Sequence, residues 1–362
     1  MANGLTSPSR VGVDQTTDGS FAQDNALFLK KFSGEILQTF EESNVFKALH
    51  TIRTIENGKS AQFPVTGIAS ANYHTPGENI AEANDGATPP SFSYLSDIKK
   101  TEKIINIDKM LVASTFLANI DDVKNHYDIR SIYANELGKA LAVRFDTALA
   151  KVFIAAARSS AVITGGKVGG QLDVANNDFS APDTPGTPAA ITGADLVAAF
   201  FTAAQKLDEN DVPSDGRFCV LRPSDYYKLI TGADASNSFS LTSAVNADIG
   251  GQGGLATGMI PQIAGISIYK SNHIPSTDLS AVSSGDGASN NDVFGVSGIG
   301  YNGDFRNSVG IVSHSAAVGT VKLLDLATES EYQIERQGTL FVAKYAMGHG
   351  VLRPECAIEL VA

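Results

Sequence analysis

Residues 120–158 read IDDVKNHYDIRSIYANELGKALAVRFDTALAKVFIAAAR. The stretch has no proline and one glycine, and its apolar or small residues recur with the i, i+3, i+4, i+7 spacing of one helix face. This stripe comprises Val123, Tyr127, Ala134, Leu137, Leu141, Phe145, Ala148 and Val152. Acidic residues open the stretch and basic residues close it, which matches the helix dipole. We therefore predict one amphipathic helix over Ile120–Arg158, about 58 Å long at roughly 1.5 Å per residue.

Three kinds of structure contain so long a helix: a coiled coil, a membrane span and the backbone of an elongated domain. Arg144, Asp146 and Lys151 lie in its most apolar part, which argues against a membrane span. The apolar stripe does not keep a seven-residue register, which argues against a coiled coil. Gly138, in the middle, predicts close packing or a slight bend. We therefore expect a flat, plate-like domain in which sheets lie on this helix.

The composition limits the classes of protein that the chain can belong to. Its 362 residues are 43% hydrophobic, which is ordinary for a folded protein, and its formal charge is −12. An acidic chain without clustered Lys and Arg is not expected to bind nucleic acid by sequence. Cys219 and Cys356 lie in apolar, strand-like segments and are predicted to be buried thiols in a reducing compartment. The polar first twenty residues show no secretory signal, so we expect synthesis in a cytoplasm.

The N-terminal part of the chain alternates between polar segments and strands. A polar arm over residues 1–23 and a helix over 25–42 come first. Leu49–Ile55 and Ser60–Val65 then predict two strands joined by an Asn57-Gly58 hairpin turn. The excursion from Gly67 to Asp97 contains no Lys or Arg and few apolar residues, and a strand follows over Lys99–Asp108. So long an excursion between strands is typical of a functional segment that reaches away from the body.

The rest of the chain mixes helices with a β-rich end. The predicted elements are a Gly/Ala/Pro/Asn-rich connector over 159–192, a helix over Ala194–Asp208, a buried strand over Arg217–Leu221, a helical turn over 223–230, a loop over 233–258, a strand over Ile263–Tyr269, a loop over 276–292, and the β segments Val293–Val296, Ser308–Ser313, Val318–Leu324, Glu331–Glu335, Leu340–Ala346 and Ala357–Val361. We find no internal repeat.

The sequence contains fragments of several catalytic and ligand-binding motifs, but each of them lacks a required residue or spacing. Gly58-Lys59-Ser60 ends like a phosphate-binding loop, but Arg53 stands where its first glycine is required. The glycines at 250–254 lack dinucleotide-binding spacing, and residues 295–298 miss the spacing of a serine nucleophile elbow. The six histidines show no metal-ligand spacing. We predict no catalytic residue, no cofactor and no metal.

Several runs of residues resemble one known family. The runs are GKSAQFPV at 58–65, PGEN at 76–79, TEK at 101–103, NHYD at 125–128, SAAVGTVKL at 315–323, AKYAMGHG at 343–350 and LRPE at 352–355. In this order they resemble the major capsid protein of short-tailed, double-stranded DNA bacteriophages of the T-seven type, over roughly residues 24–362. That family has the α+β HK97-type shell fold.

The resemblance implies a domain organisation and partners. It divides the chain into an N-terminal arm (1–23), a helix and strand (24–56), an E-loop hairpin (57–108), a peripheral domain with a long spine helix (109–158), an axial domain (159–310) and peripheral return strands (311–362). It implies self-assembly into the hexamers and pentamers of an icosahedral head around double-stranded DNA, without sequence-specific DNA binding or membrane. A scaffolding protein during assembly and a portal protein at one vertex are the further partners implied.

The charge pattern adds a hypothesis about how subunits touch. Glu78, Glu82, Asp85 and Asp97 make the E-loop tip acidic, and these charges either keep the loop soluble or meet basic residues of a neighbour. The basic candidates, expected on the exposed side of the spine, are Lys124, Arg130 and Lys151. The alternative function is a cytosolic enzyme or a sugar-binding module with a helix-backed sheet. The long excursion favours a shell protein, because a monomeric enzyme has no use for it.

Overall fold

The chain folds into two sheets and a two-stranded ribbon around one long helix, in a computed structural model. The structure describes residues 44–67, 69, 71, 73–74, 76, 80, 98–107, 110–120, 129–163, 165–180, 187–231, 260, 262–279 and 303–362. The predicted N-terminal arm, the helix over 25–42 and the strand Val293–Val296 lie outside these residues. The mixture of helices and largely antiparallel sheets confirms the α+β class.

The long helix α1 spans Ile129–Ala157 and ends one residue before the predicted Arg158. Its predicted start cannot be compared, because residues 121–128 lie outside the described part of the chain. The stripe residues Leu141, Phe145, Ala148 and Val152 are buried as predicted. The expectation of one covered face is wrong for the C-terminal half, where every residue from 148 to 154 is buried. The reason is that α1 packs against strands of both large sheets.

The four-stranded sheet has the order β1-β10-β11-β4. Its strands are β1 (Thr51–Thr54), β4 (Leu111–Ala118), β10 (Val318–Gln333) and β11 (Gly338–Val351). Strands β10 and β11 form one long antiparallel hairpin, closed by the turn at Gln337, whose φ is 50°. The predicted segments Val318–Leu324 and Glu331–Glu335 are therefore largely one strand, and β4 was not predicted.

The two-stranded ribbon consists of β2 (Ser60–Thr66) and β3 (Lys100–Asn106), which pair antiparallel. The predicted hairpin between the strands on either side of Asn57-Gly58 is wrong. Strand β1 pairs in parallel with β10, from Thr51 opposite Gly319, so the turn joins two different sheets. Local turn residues identify a reversal, but they do not identify which strand lies beside β1.

The six-stranded sheet has the order β5-β12-β9-β6-β8-β7 and carries the other helices. Its strands are β5 (Gly170–Asp173), β6 (Arg217–Leu221), β7 (Gln262–Ile263), β8 (Ile266–Lys270), β9 (Ser308–His314) and β12 (Ala357–Val361), and its helices are α2 (Gly193–Glu209) and α3 (Pro223–Thr231). The predicted helices, β6, β9 and β12 are confirmed. The single strand predicted over Ile263–Tyr269 is wrong, because Ala264 and Gly265 have φ of 50° and 76° and turn the chain into an antiparallel pair.

Candidate functional site

The residues predicted to touch a neighbouring subunit lie mostly outside the described part of the chain. This holds for Glu78, Glu82, Asp85, Asp97 and Lys124, and for the side chain of Arg130 on the first turn of α1.

Lys151 is the member of that set whose side chain is described, and its placement is a correction. It is 2% exposed, in the half of α1 that both sheets cover, so it does not lie on an exposed side of the helix. The helical pattern placed it opposite one apolar stripe, but the second sheet covers that side as well.

The base of the β2–β3 ribbon rests on the four-stranded sheet. Ala61 of β2 and Ile105 of β3 are 6% and 3% exposed, and they pack with Val321 and Leu352 in a small cluster separate from the main core. Beyond these two, the ribbon's residues are half-buried or exposed. A small apolar contact therefore attaches the ribbon to the body at the end that carries Ile105 and Asn106. Beside it, Arg53 of β1 donates from Nη1 to Gln62 O at 3.0 Å and lies 5.6 Å over the Phe63 ring.

The face of the four-stranded sheet beneath this contact carries three glycines. Gly319 of β10 lies directly opposite Gly350 of β11, and Gly348 lies two residues before Gly350, so the three share one face of the sheet. We call Gly319, Gly348 and Gly350 the glycine seat. A Cβ at Gly348 would lie 2.0 Å from Asn106 O, and one at Gly350 would lie 2.7 Å from Ile105 Cγ1. Strand β3 therefore approaches the sheet more closely than a side chain on these residues would allow.

The opposite face of the same two strands packs on α1. Thr320 and His349 are cross-strand partners, with Oγ1 and Nδ1 2.8 Å apart. The His349 ring lies 5.2 Å from the Phe145 ring, and His50 packs 6.0 Å from the same ring. Burial, and to a lesser extent the charge of His50, lowers the pKa of His349 to about 3. Burial likewise lowers the pKa of His50, so both imidazoles are neutral near pH 7.

A groove separates the rest of the ribbon from the body. Its volume is about 700 Å³, and its lining includes Phe63, Pro64, Val65, Ile163, Leu352 and Arg353. At the far end the ribbon comes close to the body again, because a Cβ at Gly67 would lie 3.5 Å from Ile163 Cγ2. The described part of the ribbon thus meets the body at the Ile105 end, at Arg53 and at Gly67, and the groove lies along the ribbon between these contacts.

Two buried carboxylates connect α1 to other segments, one from within the helix and one just beyond its C-terminal end. Asp146 is fully buried, and its Oδ2 accepts from the Val45 N–H at 2.9 Å and lies 3.2 Å from His273 Nδ1. Arg158 donates to both oxygens of the fully buried Glu359, at 2.7 and 2.6 Å. These contacts tie the helix to segments at both ends of the described chain.

The described residues offer mechanical contacts rather than a reaction centre. Within them, no group of three His, Cys, Asp or Glu side chains could hold a metal ion. None of the described helices is long and apolar enough to cross a membrane. Cys219 and Cys356 are buried free thiols, as predicted, and burial raises the pKa of both.

Sequence reasoning missed the glycine seat, although a signal for it was present. Two glycines two residues apart in a predicted strand put two missing side chains on one face, which marks a close approach of another backbone. Gly348 and Gly350 satisfy this rule within the run AMGHG. Gly319 could not be placed beside them without knowing how β10 and β11 pair.

Comparisons with known proteins give one consistent result. A family model described as Gp10A-like: Major capsid protein matches residues 62–361. The chain is 32% identical over 366 residues to the major capsid protein of Escherichia phage T7, covering 99% of this chain and 98% of that protein. It is 31% identical over 377 residues to the major capsid protein of Enterobacteria phage T3, covering 100% and 98%.

Solved structures agree with the sequence comparisons. A chain in the capsid structure of the cyanophage P-SCSP1u aligns with a TM-score of 0.71 and 38% identity, covering 99% of both chains. A chain of the bacteriophage PhiM1 mature capsid aligns with a TM-score of 0.66 over 98% of both chains, and at 16% identity it supports the fold alone.

Proposed function

Because the chain belongs to the Gp10A-like family of phage major capsid proteins, we propose that its copies assemble into the hexamers and pentamers of an icosahedral head that encloses double-stranded DNA. The observation that carries the proposal is the end-to-end likeness, at 38% identity, to a chain in a phage capsid structure. The family is one of structural proteins, so the alternative of an enzyme is set aside.

The proposed roles of the ribbon, the helices and the sheets are those of the corresponding parts of the HK97-type shell fold. The ribbon of β2 and β3 is the base of the E-loop, α1 is the spine, and the four-stranded sheet belongs to the peripheral domain. The six-stranded sheet with α2 and α3 is the axial domain. Strand β12 pairs with β5 and β9 in that sheet, so the return to the peripheral domain is made by β10 and β11.

The E-loop tip is proposed to lie across a neighbouring subunit. Its acidic residues Glu78, Glu82, Asp85 and Asp97 would face basic side chains there, with Lys124 and Arg130 as the remaining candidates. Each exposed ion pair contributes only about 0.2–1 kcal/mol and weakens with salt. A closed shell repeats the contact in every subunit, so a small loss at one contact accumulates over the particle.

The other proposed partners are a scaffolding protein during assembly and a portal protein at one vertex. The net charge of −12 supports a wall that does not bind the packaged DNA tightly, because like charges repel the phosphates. Synthesis in the bacterial cytoplasm is consistent with the two cysteines being buried free thiols.

Expression with and without a scaffolding protein, followed by negative-stain electron microscopy, tests the proposal. We expect closed, uniform heads when the scaffolding protein is present. A matched variant in which residues 68–97 are replaced by a short Gly-Ser linker should stay soluble and folded but form no closed heads. Uniform monomers of the unmodified chain under every condition would contradict the proposal.

A further inference from the structure

We propose that the glycine seat sets the direction in which the ribbon leaves the body, and thereby the angle between neighbouring subunits in the closed shell. The second half of this inference rests on the proposed function, in which the E-loop contacts a neighbour. The first half concerns the single subunit and can be tested without assembly.

The contact at Gly348 is between two backbones. A Cβ there would lie 2.0 Å from Asn106 O and 3.0 Å from Ile107 Cα, so neither neighbour could move away by rotating a side chain. Any larger residue at position 348 must therefore displace the end of β3 as a whole.

The contacts at Gly350 and Gly319 involve side chains of the same cluster. The three atoms nearest to a Cβ at Gly350 would all belong to Ile105, with Cγ1 at 2.7 Å and Cδ1 at 3.1 Å. A Cβ at Gly319 would lie 2.7 Å from Leu352 Cδ1 and 3.3 Å from Ile105 Cδ1. Ile105 is thus the side chain that fills the space left open by two of the three glycines.

Backbone conformation does not explain why these positions are glycine. Positive φ among the described glycines is confined to Gly58, Gly165, Gly216 and Gly265. The seat glycines lie in regular strands, where glycine weakens the strand and any L-residue could adopt the backbone geometry. What the missing side chains provide is room for β3.

Because the seat supports only one end of the ribbon, raising that end tilts the ribbon relative to its other contacts with the body, at Arg53 and at Gly67. Each strand of the ribbon has seven residues, or about 23 Å at roughly 3.3 Å per residue. The seat lies at one end and the Gly67 contact with Ile163 at the other. A methyl group on the seat would lift the first end of the ribbon by about 1 Å and so change the direction in which the described ribbon points at its other end.

The test is a set of substitutions read out on the unassembled subunit. Spin labels at Gln62→Cys on the ribbon and Glu136→Cys on α1, both exposed positions, report the ribbon's orientation as a distance. The native cysteines are buried and should not take label. We expect Gly350→Ala to shift this distance by about 1 Å, the displacement of this end of the ribbon, and Ile105→Ala in the same chain to restore it.

The control variants separate the seat from a general effect of alanine. Ile105→Ala should not restore the distance in Gly348→Ala, because that clash is with backbone. Gly138→Ala, where no atom lies within 4 Å of the added Cβ, should leave the distance unchanged. If Gly350→Ala fails to fold, Gly319→Ala is the substitute. Its Cβ would lie 3.3 Å from Ile105 Cδ1 but 2.7 Å from Leu352 Cδ1 in the body, so a smaller shift of the ribbon is expected.

Assembly with a scaffolding protein then tests the consequence for the shell. We expect Gly350→Ala to lower the yield of normal closed heads at least tenfold or to change their diameter, and the Ile105→Ala pair to recover both. An unchanged label distance in folded Gly350→Ala would overturn the role of the seat. A shifted distance with heads of normal yield and diameter would instead overturn the second half of the inference, that the direction of the ribbon sets the angle between neighbouring subunits, and would leave the proposed function standing.

Discussion

His349 is a residue whose burial makes stability depend on pH. Its pKa is lowered to about 3 in the folded chain, from an ordinary value near 6.5. Between these values the unfolded chain binds a proton that the folded chain does not, so stability is full above about pH 6.5 and falls as the pH falls toward 3. At pH 5 the loss from this group alone is about 2 kcal/mol. His50, whose pKa is also lowered, adds a loss of the same sign.

We therefore predict that His349→Gln makes the unassembled subunit less sensitive to acid. The difference in unfolding free energy between pH 7 and pH 5, measured by urea titration, should shrink by about 2 kcal/mol. The exposed His74→Gln is the control and should leave this difference unchanged. An identical pH dependence in His349→Gln and the unmodified chain would contradict the buried neutral imidazole.

Gly138 is a glycine whose surroundings within the subunit leave room for a side chain. Close packing, one of the two alternatives predicted at this position, is not found, since outside the helix's own nearby backbone no atom lies within 4 Å of an added Cβ. The slight bend stays a prediction. Gly138→Ala should therefore raise the unfolding free energy by about 0.5–1 kcal/mol, because alanine is the better helix former. Thermal unfolding of the monomer measures this, and a lower melting temperature would mean that the space is needed for another reason.

Removing only the cation of the Arg158–Glu359 ion pair should lower the unfolding free energy strongly. Arg158→Met leaves a fully buried carboxylate without its cation, and we expect a loss of about 3–5 kcal/mol in urea unfolding. Adding Glu359→Gln removes the charge and keeps one of the two acceptor oxygens that Ser308 and Gln171 use, and should recover more than half of the loss. Equal stability of the single and double variants would show that the buried charge is not what matters.

At the scale of elements, α1 should tolerate a charge on its exposed side but not on its buried stripe. Leu141 is 3% exposed and belongs to the main core, so Leu141→Asp places an unpaired charge there at a cost of several kcal/mol. We predict insoluble or degraded protein. Ala140→Asp, at the adjacent exposed position, should give soluble subunits with a nearly normal melting temperature. Soluble Leu141→Asp with normal stability would mean that the stripe is not core.

The elements also show how far sequence patterns can predict this fold. Helical spacing located α1, α2 and α3 to within a few residues at the ends that are described, because side chains three and four apart share a face whatever packs on them. The same spacing could not reveal that a second sheet covers α1, and so it placed Lys151 in solvent. Strands β4 and β5 were missed because their pairing partners, not their own sequences, distinguish them from loops.

The candidate site was predictable in part for a related reason. The run AMGHG contains the periodic signal for two seat glycines, but the seat exists only where β10, β11 and β3 meet. Contacts between residues so distant along the chain leave no local signal. The acidic residues of the E-loop tip remain a prediction.

For the whole molecule, we predict a shell held together without covalent bonds. Residues 68–97 contain no lysine, so the E-loop tip has no amine that could form an isopeptide link to a neighbour. Mature heads boiled in SDS should run as one band near the 37.9 kDa monomer. Heads treated first with an amine-reactive cross-linker serve as the positive control and should give a ladder. A ladder from untreated heads would contradict the prediction.

The position of β12 in the six-stranded sheet means that this sheet can be completed only late in translation. Strand β12 lies between β5 and β9, yet it is the last of the six to leave the ribosome. At a synthesis rate of about 5–20 residues per second, roughly 10–40 s pass between the synthesis of β5 and that of β12, the strand with which it pairs. During that interval the nascent chain exposes an incomplete sheet to a crowded cytoplasm. Chaperones therefore have a defined window in which to act, and the sheet closes only after nearly the whole chain described here has been translated.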